Sequence, residues 1–154
     1  MRIGLISDTH GLLRPEALDA LRGVDRLIHA GDIGKPAVLE ALRELAPCDA
    51  IRGNVDRKWS PLPEARWLEL AGTRVFVVHD WKSAAPITGP AVVVCGHSHR
   101  PGVWTEGDLL VVNPGSAGPR RFSLPVSVGF LTLGEGPPTA ELLTLTVPQR
   151  RRRR

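Results

Sequence analysis

Two histidines stand two residues apart, directly after an apolar run in the middle of the chain. The run from Ala91 to Cys95 is short and rich in β-branched residues, which predicts a buried strand, and Gly96 permits a sharp turn after it. In extended backbone, residues i and i+2 point the same way, so His97 and His99 should face one site with Cβ atoms roughly 7 Å apart. That spacing favours one histidine on each of two neighbouring metal ions. By itself, the motif fits two surface histidines equally well.

Four other strand-like runs also end in side chains of metal-binding types. In open α/β sheets, ligands bind beyond the carboxyl ends of the strands. Five strands that each end in an oxygen or imidazole donor therefore predict one shared site at that edge. The additional candidates are Asp8 and His10 after the first run, Asp32 after the second, Asn54 after the third, and His79 after a later one.

The elements that must position these residues alternate between strand and helix at the start of the chain. Strands are predicted over about 2–7, 26–30 and 49–52, with helices over 15–22 and 36–46 between them. This order predicts parallel strands joined by right-handed crossovers. The remainder is strand and turn, and we expect its strands to form a second sheet packed against the first. These strands are predicted at about 66–70, 73–79, 91–95, 103–105, 109–112, 127–133 and 141–147.

The composition is that of a globular domain. The chain has 154 residues, of which 42% are hydrophobic and 23% charged, which suffices for one core. Its longest apolar runs are too short to span a bilayer, and strand sequence begins at the N-terminus, where a secretory signal would lie. We therefore expect a single cytoplasmic domain over residues 1–148 without a membrane segment. Cys48 and Cys95 do not form a CxxC pair, and Cys95 is expected to be a buried thiol rather than a ligand.

The formal net charge of +4 originates at the C-terminus. Arg150–Arg154 supply five of the 20 basic residues, which leaves 15 basic against 16 acidic residues in the rest of the chain. The body of the protein therefore gives no electrostatic reason to bind nucleic acid. We expect residues 149–154 to be a disordered arginine-rich tail, and any binding of nucleic acid would depend on it.

Taken in chain order, the strand-end motifs resemble those of the calcineurin-like metallophosphoesterase superfamily. The similarity is greatest to the small bacterial and archaeal phosphodiesterases of the YfcE type and covers Met1 to about Val147. It implies an α/β fold of four layers, α-β-β-α, with two mixed sheets flanked by helices. The motifs are Asp8-x-His10, Gly31-Asp32, Gly53-Asn54-x-Asp56, His79 and Gly96-His97-x-His99, with Asn113-Pro114-Gly115-Ser116 as a further signature.

The resemblance also implies a dinuclear metal site. Two cations would lower the pKa of a bridging water to supply hydroxide for in-line attack on phosphorus, and would hold the phosphoryl oxygens. The mixed nitrogen and oxygen set suits Mn, Fe, Co, Ni or Zn better than Mg or Ca, and we expect manganese. In the family pattern one ion is bound by Asp8, His10, Asp32 and His99, and the second by the bridging Asp32 with Asn54, His79 and His97.

Four residues carry predictions about catalysis and support of the ligands. We expect Asn54, Asp56 and His97 to act in catalysis. Asp56 lies two residues beyond Asn54 and would donate a proton to the leaving oxygen, although a structural carboxylate is an equal alternative. His29 precedes the Gly31-Asp32 turn and is expected to support the ligating carboxylate, with a buried core histidine as the alternative.

Substrate contacts are less well defined by the sequence. Asn113 and Arg120, or its neighbour Arg121, are candidates for binding phosphate, against the alternative of solvated surface arginine. A nucleobase could stack on a tryptophan near the ligand-side loops, although single tryptophans more often cover hydrophobic patches. The candidates are Trp59, Trp81 and Trp104.

Two features depart from the family pattern. Asp80 follows His79 where the family usually has glycine, and this carboxylate would either raise metal affinity or repel an anionic substrate. The segment between His79 and His97 is also short and contains prolines, so the helix often found there is expected to be absent.

These features predict a dinuclear metal-dependent phosphodiesterase that acts on a small-molecule or nucleotide phosphoester. One alternative is a phosphomonoesterase of the same fold. Another is a non-catalytic scaffold of this fold that binds protein partners, but such relatives tend to lose ligands, and this chain keeps all seven. The sequence leaves homo-oligomerisation open.

Overall fold

The alternation of strand and helix predicted for the first part of the chain is present in the computed structural model, which describes residues 1–121 and 123–148. Both helices begin at a proline in the first turn, where the missing N–H needs no partner. The predicted arginine-rich tail lies outside the described residues. The elements are β1 (Arg2–Ile6), α1 (Pro15–Leu21), β2 (Arg26–His29), α2 (Pro36–Leu45) and β3 (Cys48–Ala50).

The first sheet has five strands in the order β10-β9-β1-β2-β3, where β9 is Ser127–Thr132 and β10 is Thr139–Thr144. The strands β1, β2 and β3 are parallel, whereas β9 runs antiparallel to β1. The prediction that all later strands form a separate second sheet is therefore wrong for β9 and β10. The first five residues of β9 are buried, so this strand suits an interior position beside β1 rather than a solvent-facing one.

The second sheet is also mixed and has the order β4-β5-β6-β8-β7. Its three central strands are parallel, and the two edge strands are antiparallel to their neighbours. The predicted hairpin turns at Ala71 and Gly72, which both have positive φ. The bounds are β4 (Ala65–Leu70), β5 (Thr73–Val78), β6 (Ala91–Val94), β7 (Gly102–Glu106) and β8 (Leu109–Asn113).

Apolar side chains fill three layers. One lies between the two helices and the first sheet, where Leu21 and Leu42 meet Leu27, and a second lies between the sheets. The third covers the outer face of the second sheet, where Trp81 and Ile87 pack instead of a helix. The α/β fold of two mixed sheets is thus confirmed. Within the described ranges, the segment between His79 and β6 contains one 3-10 turn, Trp81–Ser83, and no α-helix. Neither of the two α-helices described could span a bilayer.

Candidate metal centre

The candidate ligands lie on sharply turning backbone. Five of the seven have φ in the left-handed region, between 46° and 72°. The pairs 8/10 and 97/99 therefore do not project from extended strands, so the geometric reason given for their convergence is wrong even though they do converge. Such backbone is uncommon outside glycine and is typical of functional sites, where surrounding contacts hold it. These five residues are Asp8, His10, Asp32, His97 and His99.

Asp8 has one carboxylate oxygen held by the protein and one left open. Its side chain is fully buried, and Oδ2 accepts hydrogen bonds from the Ser7 hydroxyl at 2.7 Å and the His97 backbone N–H at 3.1 Å. Among residues 1–121 and 123–148, no group forms a hydrogen bond with Oδ1. It faces three imidazole nitrogens, Nε2 of His99 at 3.3 Å, of His79 at 3.8 Å and of His10 at 3.9 Å.

Like Asp8, Asp32 has one carboxylate oxygen bonded to the protein backbone and one that faces imidazole nitrogens. Oδ1 accepts a hydrogen bond from the Val55 backbone N–H at 3.1 Å, while Oδ2 lies 3.2 Å from Nε2 of His79 and 3.6 Å from Nε2 of His10. His79 Nδ1 lies 2.8 Å from the carbonyl oxygen of Ala30, which can only accept, so Nδ1 carries the proton. In the neutral imidazole, Nε2 then directs a lone pair towards a carboxylate oxygen, and such a pair requires a proton or a cation between its members.

The buried atoms fit a metal. Asp8 Oδ1, His10 Nε2 and His79 Nε2 are buried without hydrogen-bond partners, and unpaired buried polar atoms are rare in proteins. A divalent cation would bind these nitrogen and oxygen atoms together. Two groups have ligand atoms that all lie within 4.8 Å of one another, and both include Asp8. They are Asp8, His10 and His99, and Asp8, Asp32 and His79.

Both carboxylates are ionised at neutral pH, which is the form that binds metal. Burial by itself would raise the pKa of Asp32, but the hydrogen bond and positive charge of His79 lower it to about 2. Burial would also raise the pKa of Asp8, yet contacts with His99 and His79 hold this pKa below the ordinary value. Burial disfavours the charged form of His79, but the hydrogen bond to Asp32 and the charge of Asp8 raise its pKa.

His97 and His99 lie beside different neighbours. The ring of His97 is centred 5.2 Å from that of His79, and the ring of His99 is centred 5.4 Å from that of His10. His97 is exposed over 44% of its side chain, whereas His99 is buried. Asn54 is exposed beside His79 on the wall of a cleft. Asn54 and His97 are therefore on the solvent side of the buried cluster.

Glycines that precede two of the ligand turns permit close approach of neighbouring backbone. A Cβ atom on Gly53 would overlap the carboxylate of Asp32, and one on Gly96 would overlap Ser7 and the carboxylate of Asp8. No other residue fits these two positions without displacing a candidate ligand.

Backbone hydrogen bonds hold the side chain of Asp56. It is fully buried, and its carboxylate accepts three of these bonds, from Ile33 at 3.0 Å and from Gly34 and Gly53 at 2.9 Å. These bonds fasten the turn that carries Asp32 to the turn that carries Asn54. They support the structural alternative for Asp56, and its catalytic role stays a prediction.

His29 connects two ligand turns through a defined chain of hydrogen bonds. Its Nδ1 accepts from the Gly31 backbone N–H at 3.1 Å. The Thr9 hydroxyl donates to the carbonyl of Ile33 at 2.8 Å, so His29 Nε2–H donates to that hydroxyl at 3.0 Å. Burial lowers the pKa of His29 to about 4, and the neutral imidazole therefore braces Thr9, between Asp8 and His10.

The predicted substrate contacts at Asn113 and at Arg120, or its neighbour Arg121, stay predictions, and the structure shows the surroundings of these residues. The Asn113 amide is buried and fully used, donating to the Gly96 carbonyl at 3.0 Å and to the Ser98 hydroxyl at 3.1 Å, and accepting from Gly115 at 2.9 Å. It thus holds the turn that carries the two histidines. Arg120 is exposed, and the charge of its neighbour Arg121 is the one that acts on His10.

The three candidate tryptophans and Cys95 have packing or hydrogen-bond contacts with other parts of the protein. Trp59 packs against the layer between helices and sheet, while the indole N–H groups of Trp81 and Trp104 both donate to Glu106, at 3.2 Å and 2.9 Å. Burial raises the pKa of Cys95 to about 12, so this residue is a neutral thiol as expected.

A cleft of about 360 Å³ adjoins the cluster. One wall carries Arg52, Asn54 and Arg57, and apolar side chains such as Phe76 lie opposite. Arg52 pairs with Glu64 at 3.1 Å, whereas Arg57 is exposed and has no carboxylate within 4.0 Å among the residues that the structure describes. Sequence reasoning missed Arg57, and its position three residues after Asn54 was the signal that could have identified it.

Comparison with known proteins shows which protein family has these motifs. Residues 1–136 match the model of the calcineurin-like phosphoesterase superfamily domain, a range that includes all seven candidate ligands. A probable metallophosphoesterase of Methanothermobacter thermautotrophicus is 34% identical over 164 residues, covering 96% of this chain and 95% of its own. The solved structure of Yfce, a phosphoesterase from E. coli, has a TM-score of 0.69 at 27% identity and covers 86% of this chain and 88% of its own. An archaeal phosphodiesterase has a TM-score of 0.71 at 23% identity over 93% and 100%, a likeness of fold.

Replacing Asp56 tests its role in fastening the turns. Asp56→Asn retains the shape but cannot accept all three backbone bonds, so we expect the metal-free protein to lose roughly 3 kcal/mol of unfolding free energy, as for one or two hydrogen bonds to a buried charge. Denaturant unfolding measures this loss. Asp19→Asn, which changes an exposed helix carboxylate, should stay within about 0.5 kcal/mol of the parent. Full stability with reduced turnover would instead support the proton-donor role.

The protonation of His29 gives a pH test of the same network. Its imidazole should stay neutral in the folded protein until the pH approaches 4, and NMR of its ring nitrogens can follow this. In the unfolded chain the ordinary pKa is about 6.5. The unfolded state therefore takes up the proton first, and unfolding free energy should fall by roughly 3 kcal/mol from this group as pH drops from about 6.5 to 4. A His29 midpoint near 6.5 in the folded protein would contradict the assigned hydrogen bonds.

Proposed function

We propose that this chain, which belongs to the calcineurin-like phosphoesterase superfamily, is a phosphodiesterase that uses two divalent metal ions. The observation that carries the proposal is the convergence of ionised, buried carboxylate oxygens and imidazole nitrogens. Oδ1 of Asp8 and Oδ2 of Asp32 face histidines on both sides and have no backbone donors of their own. Such a set of atoms has little use in a protein except to bind cations.

The two ions are assigned to neighbouring sets of residues. The ring of His10 lies beside that of His99, with centroids 5.4 Å apart, and the ring of His79 lies beside that of His97, with centroids 5.2 Å apart. The first ion would be bound by Asp8, His10 and His99, and the second by His79, His97 and Asn54. Asp32, whose Oδ2 lies 3.6 Å from Nε2 of His10 and 3.2 Å from Nε2 of His79, would contribute to both sets. The mixed nitrogen and oxygen donors favour manganese, with iron, cobalt, nickel and zinc as the other candidates.

The chemistry follows from the ions and from the residues around them. Bound divalent ions lower the pKa of water and polarise phosphoryl oxygens, which is the requirement for hydrolysis of a phosphoester. The chain contributes the positioning: Asp56, His29 and Asn113 hold the three ligand turns in register. Arg57 adds an exposed positive charge on the cleft, where it can attract an anionic substrate.

A diester is favoured over a monoester by the space beside the centre. A diester needs room for an organic group on each side of phosphorus, and the cleft of about 360 Å³ next to His79 and Asn54 can hold one of them. The archaeal structure of similar fold is also a phosphodiesterase. We expect a small-molecule or nucleotide ester as substrate and the cytoplasm as the compartment.

Metal-dependent hydrolysis of bis(4-nitrophenyl) phosphate tests the proposal. The manganese-loaded protein should contain about two ions per chain by elemental analysis, and its turnover should be abolished by a chelator and restored by manganese. Asp32→Asn should lower kcat/KM by at least about 100-fold, the upper range for loss of an outer hydrogen-bond partner of a metal ligand.

Asp25→Asn is the matched control, because Asp25 precedes the opposite end of β2 and accepts a hydrogen bond from the Arg2 backbone. It should leave kcat/KM close to that of the parent. Turnover that persists after chelation would contradict the metal-dependent mechanism. Near-zero metal content after loading would favour the non-catalytic scaffold.

A further inference from the structure

A carboxylate stands beside the candidate centre without belonging to it. Asp80 follows His79 directly and lines the same cleft as His79 and Asn54. Its Oδ2 lies 3.9 Å from Nε2 of His97, and 35% of its side chain is exposed. Its charge therefore faces the space from which a substrate must approach the histidines.

This carboxylate is held in place by its own turn. Oδ1 accepts a hydrogen bond from the Lys82 backbone N–H at 3.2 Å, and Oδ2 accepts one from the Ser83 hydroxyl at 2.8 Å, so Asp80 caps the 3-10 turn. The indole N–H of Trp81, which lies in that 3-10 turn, donates a hydrogen bond to Glu106 on β7 at 3.2 Å. Since both oxygens and the turn are anchored, the charge cannot swing away from an incoming anion.

No cation of the described chain neutralises Asp80. Within residues 1–121 and 123–148, neither a lysine nor an arginine nitrogen lies within 4.0 Å of its oxygens, and its one charged-type neighbour at that range is His97. Asp80 also belongs to neither group of three potential ligands found in that part of the chain. These observations leave a partly exposed negative charge at the entrance, held by its own turn.

We propose that Asp80 makes the site select monoanionic phosphodiesters against dianionic phosphomonoesters. This inference rests on the proposed function and names the substrate class of the same site. A monoester carries close to two charges at neutral pH, because its second pKa is about 6, whereas a diester carries one. Like charges held close together disfavour binding, and a repulsive group of this kind is a common source of specificity. Arg57 attracts both classes, and its contribution is the same in variants at position 80.

The test compares Asp80→Asn with the parent protein. Asparagine caps a turn as well as aspartate does, so the fold should be kept while the charge is removed. In the manganese-loaded protein at pH 8, the ratio of kcat/KM for 4-nitrophenyl phosphate to that for bis(4-nitrophenyl) phosphate should rise about tenfold, the order expected for one partly solvated charge contact. Calorimetry should show a larger gain in affinity for inorganic phosphate than for dimethyl phosphate, because the repulsion removed scales with the charge of the anion.

Glu135→Gln is the matched control, because it removes one negative charge in the turn between β9 and β10, near Met1 and away from the ligand turns. It should leave both the ratio and the phosphate affinity unchanged. Three results would overturn the role of Asp80: an unchanged ratio and phosphate affinity in Asp80→Asn, an equal change in Glu135→Gln, or loss of bound manganese in Asp80→Asn. If the parent hydrolyses neither ester, the proposed function fails, and the phosphate calorimetry still decides the role of Asp80.

Discussion

The structure depends on a concentration of buried negative charge that its own donors satisfy only in part. Asp8 is fully buried and Asp32 is 6% exposed, and each carboxylate has one oxygen bonded to the protein and one directed at imidazole nitrogens. An arrangement of this kind costs free energy unless a cation or protons neutralise it. The left-handed backbone at five of the candidate ligands adds to that cost. Most of the other features around the site maintain this arrangement.

The same contacts join the two sheets into one unit. Asp8 follows the first sheet and accepts a hydrogen bond from the backbone of His97, which follows the second. His79, after the second sheet, donates to the carbonyl of Ala30, after the first. The apolar layer between the sheets and the candidate centre therefore support each other, since a shift of one sheet on the other would separate candidate ligands that lie together, such as Asp8 and His99.

The cleft beside the candidate centre is shaped by the segment that follows His79. That segment forms a short 3-10 turn with Asp80 as its N-cap, and Trp81 packs on the outer face of the second sheet. Under the proposed function, the candidate ligands would account for the reaction class, whereas Asp80, Arg57 and Phe76, which line the cleft, would act on the rest of the substrate. Selectivity would then depend on these surrounding groups, because every phosphoester has phosphoryl oxygens for the ions to bind.

Local sequence determined the order of the elements and the residues that could bind metal. Apolar runs and helix-starting prolines mark β1 to β3 and both helices, and a potential ligand after each run identifies the site. Tertiary structure decided what these groups contact. Asp56 accepts bonds from Ile33 and Gly34, more than twenty residues earlier, and β9 joins β1 from the far end of the chain. The turn conformations of the candidate ligands could not be predicted from the sequence either. Aspartate and histidine tolerate several backbone conformations, and only contacts with distant segments select one.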